Sequence, residues 1–171
     1  PARQVMKWFW KQRQAQNAEG GWAILLDERP VPTPSRALLA VPNEALASAI
    51  TAEWDAQGEE LDPATMPMTG FANATIDRVL PALGEFRGRV AVYAESDLLC
   101  YRADGPAELV ERQSAQWDPL LDWARGKLGV DFSITSGGLP VDQPARTLAG
   151  LRGAVAALDP WLVAGVASLT Q

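Results

Sequence analysis

The sequence predicts an α+β fold, with a small strand-rich N-terminal part followed by a helical C-terminal part. Three observations carry this. Aromatic and aliphatic residues with strand-like alternation and proline-bounded turns fill the first forty positions. From Asn43 onward, apolar residues recur at spacings of three and four, as a helix facing a core requires. Between the two patterns, residues 59–67 are polar, carry two prolines and read as a connector. The boundary is placed there, giving a strand-rich domain with one packed helix over residues 1–66 and a helical domain over residues 67–171.

Each element follows from local pattern. Residues 6–11 and 22–27 read as strands, with Trp22, Ile24 and Leu26 alternating onto one face and Trp8 and Trp10 sharing a face opposite Phe9. Asp27, Glu28, Arg29 and Pro30 form a turn, after which Val31 and residues 37–41 supply extended pieces bounded by Pro32, Pro34 and Pro42. Asn43 caps a helix whose stripe is Leu46, Ile50 and Trp54 and which ends near Gly58. Phe71, Ile76 and Val79 mark a short helix, and Leu83, Phe86, Val90 and Tyr93 a second. The longest helix is expected to start at Pro106 with Gly105 as cap, to carry Leu109, Gln113, Trp117, Leu121, Ala124 and Leu128 on one stripe, and to stop at Gly129. Residues 131–134 read as extended and residues 135–144 as a loop. Leu148, Leu151, Val155 and Leu158 then form one helical face; Asp159 and Pro160 open a last helix with Leu162, Val166 and Leu169.

Composition narrows the function. With 171 residues, 47% of them apolar, the chain can bury a substantial core. Acidic residues outnumber basic ones 21 to 15, and the net charge of −6 opposes binding to nucleic acid or to anionic lipid. Charged or amide residues interrupt every apolar run before the ~18 residues that a membrane span needs, so no membrane insertion is expected. Cys100 is the single cysteine, which rules out an internal disulfide and fits a reducing compartment. The chain opens at Pro1 without methionine, shows no signal-peptide pattern, and stops at Gln171 just after an apolar helical segment, the pattern of a piece cut at both ends.

Histidine is absent, which removes Ser-His-Asp and Cys-His nucleophilic catalysis and His-ligated metals within this span. Neither phosphate-cradling fingerprint occurs, and Gly137-Gly138 followed by Leu139-Pro140 reads as a plain turn. The richest acidic cluster, Glu53, Asp55, Glu59, Glu60 and Asp62, lacks the alternation and glycine of a calcium loop and reads as a solvated helix end. Cys100, flanked by Leu98, Leu99 and Tyr101, reads as an inert buried thiol. No cofactor, metal or catalytic residue is assigned. A histidine-free hydrolase with two opposed carboxylates stays open as an alternative, because 21 acidic residues offer chance pairs. A permanent subunit of a larger complex is the other.

Seven tryptophans are the unusual feature. Trp54 and Trp117 lie on apolar stripes and read as core, whereas Trp123, between Asp122 and Ala124, lies off the main stripe and has a better claim to a surface contact.

Several segments together resemble the assembly chaperone of the F-type ATP synthase head that binds the free α subunit, found in mitochondria and α-proteobacteria. The resemblance spans nearly the whole chain. It is carried by Lys7-Trp8-Phe9-Trp10-Lys11, by residues 26–34 and 49–57, by Met66-Pro67-Met68-Thr69, by Ser96-Asp97-Leu98-Leu99-Cys100-Tyr101-Arg102-Ala103, and by Gln113, Trp117, Asp118, Pro119 and Trp123. Glu28 departs from the glycine expected after Asp27, and the helices that should follow Gln171 are missing.

The resemblance implies an ATP-independent chaperone, not an enzyme, acting as a monomer on the ATP synthase α subunit before it pairs with β. Its place is then the cytoplasm if the chain is bacterial and the mitochondrial matrix if eukaryotic. Trp123, Arg102 and Trp10 are the candidate partner-binding residues, since aromatic and arginine anchors dominate interfaces. Trp54, Asp97, Tyr101 and Trp117 are read as structural parts of the motifs, with Asp97 capping a turn and Tyr101 packing.

Overall fold

The computed structural model describes residues 10, 12–18, 20–58 and 60–170. It contains both strands and helices, in the α+β order that the sequence predicts, and divides into two compact units, Pro1–Pro81 and Ala82–Gln171. The strand expected over residues 6–11 lies outside the described residues except at Trp10.

In the first unit, strand β1 (Arg13–Ala18) pairs antiparallel with β2 (Gly21–Leu26), in register from Arg13 opposite Leu26 to Ala18 opposite Gly21. The other edge of β2 takes β3 (Arg29–Pro30) and β4 (Ala40–Val41). As the central strand, β2 is buried continuously from Ala23 to Leu26, where the sequence led us to expect alternation onto one face. At its start, a Cβ on Gly21 would lie 2.3 Å from the Val41 carbonyl oxygen, so only glycine allows β4 this close.

The β2-β3 turn places both Asp27 and Glu28 at positive φ, 46° and 64°. That is the conformation a two-residue hairpin selects, and Glu28 adopts it without being glycine. The Asp27 side chain helps to hold it by accepting from the Gln12 amide at 2.8 Å. Helix α1 (Glu44–Asp55) is capped as expected, Asn43 Oδ1 accepting from the Leu46 amide at 2.9 Å, and buries Ala47, Ile50 and Trp54. Its contacts run to β1, β2 and β4 and to α2 (Pro67–Ala74), which continues into a π-turn, Thr75–Val79. The segment from residue 67 to 81, read from sequence with the helical domain, therefore falls in the first unit, with α2 packed on α1. Ile24, Leu39, Val41 and Ile50 form the fully buried centre.

Among the described residues the second unit holds four α-helices: α3 (Leu83–Val92), α4 (Ala107–Leu128), α5 (Ala145–Ala156) and α6 (Pro160–Leu169). Helix α3 packs on α5 and α6, and Arg87 donates to the Leu158 carbonyl at 2.6 Å while the Tyr93 hydroxyl donates to that of Thr170. Pro106 is the N-cap of α4 with extended backbone, one place before the first helical position expected for it, and Gly129 ends the helix in left-handed conformation as expected. Residues 131–134 are irregular. The extended pairing lies one step on, where β6 (Thr135–Ser136) runs parallel to β5 (Tyr101–Arg102), inside the stretch read as loop. Asp159 caps α6 by accepting from the amides of Trp161 and Leu162. That helix buries Val163, Ala164 and Ala167, while Leu162 and Leu169 face outward.

Candidate functional site

Two blocks of sequence that are separate along the chain meet in the second unit. Asp97 caps a single 3-10 turn, Leu98–Cys100, its carboxylate accepting from the Leu99 amide at 2.8 Å. The turn delivers Tyr101 and Arg102 into β5 and buries Cys100 completely. Arg102 then reaches back and across: Nε donates to the Leu99 carbonyl at 2.7 Å, Nη2 lies 2.9 Å from Asp118 Oδ1, and the guanidinium sits 5.2 Å from the centre of the Trp117 ring. One residue further, the Ala103 amide donates to Gln113 Oε1 at 2.8 Å. Residues 102 and 103 are thus tied to α4 through Gln113, Trp117 and Asp118, of which Gln113 and Trp117 stand one turn apart. Trp117 is half-buried and carries the arginine, so it is less fully interior than its stripe implied.

A stripe of α4 that flanks this one is different. Leu109, Gln116, Leu120, Trp123 and Lys127 recur at helical spacing and are all exposed. Leu120 is 51% and Trp123 58% exposed, an apolar pair one turn apart on a helix whose inner face is already committed. Beside it, Arg125 bridges Asp122 at 2.6 Å and Asp131 at 2.8 Å, which keeps the helix end charged and solvated around the tryptophan.

Trp10 and Trp54 belong to the first unit, where both line an apolar cavity of about 400 Å³ between the β3 loop and helices α1 and α2. Two carboxylates brace its walls. Helix α2 lacks a side-chain cap of its own, and Glu53 of α1 supplies one, accepting from the amides of Met68 at 2.6 Å and Thr69 at 2.8 Å and from the Thr69 hydroxyl at 2.7 Å. Asp77 holds the loop on the other side, accepting from the Thr33 hydroxyl at 2.6 Å and the Ser35 amide at 2.9 Å.

Comparison with known proteins places this arrangement. The family model described as ATP12 chaperone protein matches residues 7–125, the stretch that holds the cavity, the clamp and the exposed α4 pair. The chain belongs to the ATP12 chaperone family. It is 27% identical to "Protein atp12, mitochondrial" of Schizosaccharomyces pombe over 91% of its own length and 58% of that protein's, so it spans little more than half of this relative. Its fold is similar to the crystal structure of Atp12 from Paracoccus denitrificans, with a TM-score of 0.85 and 46% identity, covering 90% of this chain and 66% of that one. A point mutant of P. denitrificans Atp12p gives a TM-score of 0.88 at 44% identity, over 96% of this chain and 69% of that one.

For an ATP12-family chain, the positions that sequence reading missed are as informative as those it found. Glu53, read as part of a solvated helix end, is the cap that joins α1 to α2, and Asp77 attracted no notice at all. Neither role has a local signal, since the partners lie 15 and 44 residues away. Leu120 was missed because one exposed leucine is ordinary until a tryptophan stands beside it. The chemistry of the groups is quiet. Hydrogen bonding from Thr33, opposed by burial and aided by the Ser35 amide, holds the Asp77 carboxyl below its ordinary value, the opposite of a raised proton donor. Burial, with Asp97 nearby, pushes the Cys100 thiol up, as an inert thiol requires. Among the described residues no three His, Cys, Asp or Glu side chains converge as metal ligands, and no helix is long and apolar enough to cross a membrane.

Proposed function

We propose that this chain is an ATP-independent assembly chaperone that holds the free α subunit of the F-type ATP synthase head until β replaces it, and that it works without catalysis. The observation that carries this reading is the outward-facing Leu120-Trp123 pair on α4, in a member of a chaperone family. Tryptophan is the side chain that most often anchors a protein interface, and an anchor is presented economically when the inner face of its helix is locked. Arg102 serves as the lock: with its guanidinium spent on Leu99, Asp118 and Trp117, it positions α4 and is not itself the anchor. By mass action, covering the apolar surface of free α lowers the concentration of the aggregating species, and β releases it as the stronger competitor. The surplus of acidic residues keeps the loaded complex soluble in a bacterial cytoplasm or mitochondrial matrix.

Light scattering tests this. Isolated α subunit, warmed until it aggregates, is expected to stay clear with equimolar chain present and no nucleotide added. Aggregation at an unchanged rate over a tenfold molar excess would overturn the reading.

A further inference from the structure

The first unit carries an apolar feature separate from α4. Its cavity of about 400 Å³ is open on one side, and its volume falls within the ~300–1,000 Å³ of ordinary ligand sites. Leu26, Leu39, Trp54 and Met66 supply hydrocarbon walls. The hydroxyls that line it are already used, Thr33 donating to Asp77 and Thr69 to Glu53, so neither is free to donate to an occupant. Pro30, Pro32 and Pro34 form another stretch of wall and have no N–H to offer, so an incoming chain cannot extend the sheet there as a strand. Asn73, whose buried Oδ1 has no hydrogen-bond partner among the described residues, is the polar exception on the wall; otherwise the groove provides room for inserted apolar side chains.

Its rim is equally specific. Among the described residues no carboxylate lines the groove, and Arg29, exposed at the mouth, makes no ion pair. On a chain of net charge −6, a cation with no ion pair among the described residues, beside an apolar groove, selects for a carboxylate brought by the occupant.

We propose that this groove takes an apolar side-chain anchor of a partner polypeptide that carries a carboxylate beside the anchor, the carboxylate pairing with Arg29. The polypeptide nature of the occupant rests on the chaperone reading; the apolar-plus-acid chemistry rests on the groove alone. A partly open cavity suits side chains presented from a passing chain, and the pairing with Arg29 selects the charge beside them.

Two acetylated, amidated peptides test it, identical except for Glu or Lys next to a Leu-Phe pair, titrated into the isotope-labelled chain and followed by NMR. The Glu peptide is expected to shift the Trp10 and Trp54 indole signals and the Gly70 amide saturably, with the Lys peptide binding about fivefold more weakly, the size of an exposed ion pair. Arg29→Glu is expected to reverse that preference. Gly70→Phe is expected to abolish binding of both peptides without lowering the unfolding midpoint, because a Cβ at Gly70 meets nothing within 4 Å and glycine inside α2 is a poor helix former. Equal binding of the two peptides, shifts confined to α4, or no shifts would overturn the proposal. Failure here with intact α binding would remove the groove and leave the chaperone reading; peptide binding without α binding would do the reverse.

Discussion

Arg102 Nη2 lies 2.9 Å from Asp118 Oδ1, with the arginine side chain only 9% exposed and the aspartate 50%. The pair fastens residues 97–103 to α4 and so fixes the direction in which Leu120 and Trp123 face. Removing the aspartate strands a largely buried cation. Asp118→Ala is therefore expected to destabilise the second unit by about 1–3 kcal/mol, the cost of leaving a largely buried charge without its ion-pair partner. Arg102→Ala/Asp118→Ala is expected to cost less than the sum of the single changes. Urea unfolding of the four proteins measures the coupling; strict additivity would show that the contact contributes nothing.

The tryptophans separate by burial. Trp54, 8% exposed between α1 and the cavity, is expected to cost about 3–5 kcal/mol when changed to alanine. Trp123, 58% exposed, is expected to change stability by no more than about 0.5 kcal/mol on the same substitution. Denaturant midpoints of both variants check this, and a Trp123→Ala loss as large as that of Trp54→Ala would place Trp123 in the core.

Much of this was legible in the sequence because it is local. The Asn43 cap, the Ile50-Trp54 face, the Gly129 stop and the Asp159-Pro160 start all follow from neighbours within one turn. Strand β1 was not, because Arg13–Ala18 is a polar edge strand without a buried face to impose alternation. Two-residue strands such as β5 and β6 are fixed by pairing across more than thirty residues and leave no pattern. Of the exposed α4 pair, Trp123 was visible as a tryptophan off its stripe. The internal commitment of Arg102 was not, because an arginine in a motif looks the same whether it faces a partner or an aspartate sixteen residues on.

Asp77 gives a pH signature. Its folded-state pKa lies below the ordinary aspartate value of 3.8, chiefly through the Thr33 hydroxyl. A depressed carboxyl contributes stability above the unfolded-state value of about 3.9 and loses it as pH falls through the folded-state value. The stability gap between the parent chain and Asp77→Asn is accordingly expected to be constant from about pH 5 to pH 7 and to close as pH falls below about 4. Thermal unfolding across that range measures it; a gap that widens with acid would contradict the assignment.

Cys100 is expected to resist a thiol reagent such as dithionitrobenzoate at neutral pH and to react fully once the chain is unfolded in denaturant, because it is wholly buried and its thiol is pushed up. Stoichiometric labelling of the native chain within seconds would show that the 3-10 turn opens readily and that the clamp on α4 is loose.

Titration calorimetry of the chain into isolated α subunit, with assembled head and the Trp123→Ala chain as comparisons, tests the proposal that the exposed Leu120-Trp123 stripe of α4 holds free α. Expected are saturable one-to-one binding to free α, none to the assembled head, and a loss of about 2 kcal/mol or more, roughly thirtyfold in Kd, for Trp123→Ala. Equal binding of Trp123→Ala and the parent, or no saturable binding to α, would contradict it.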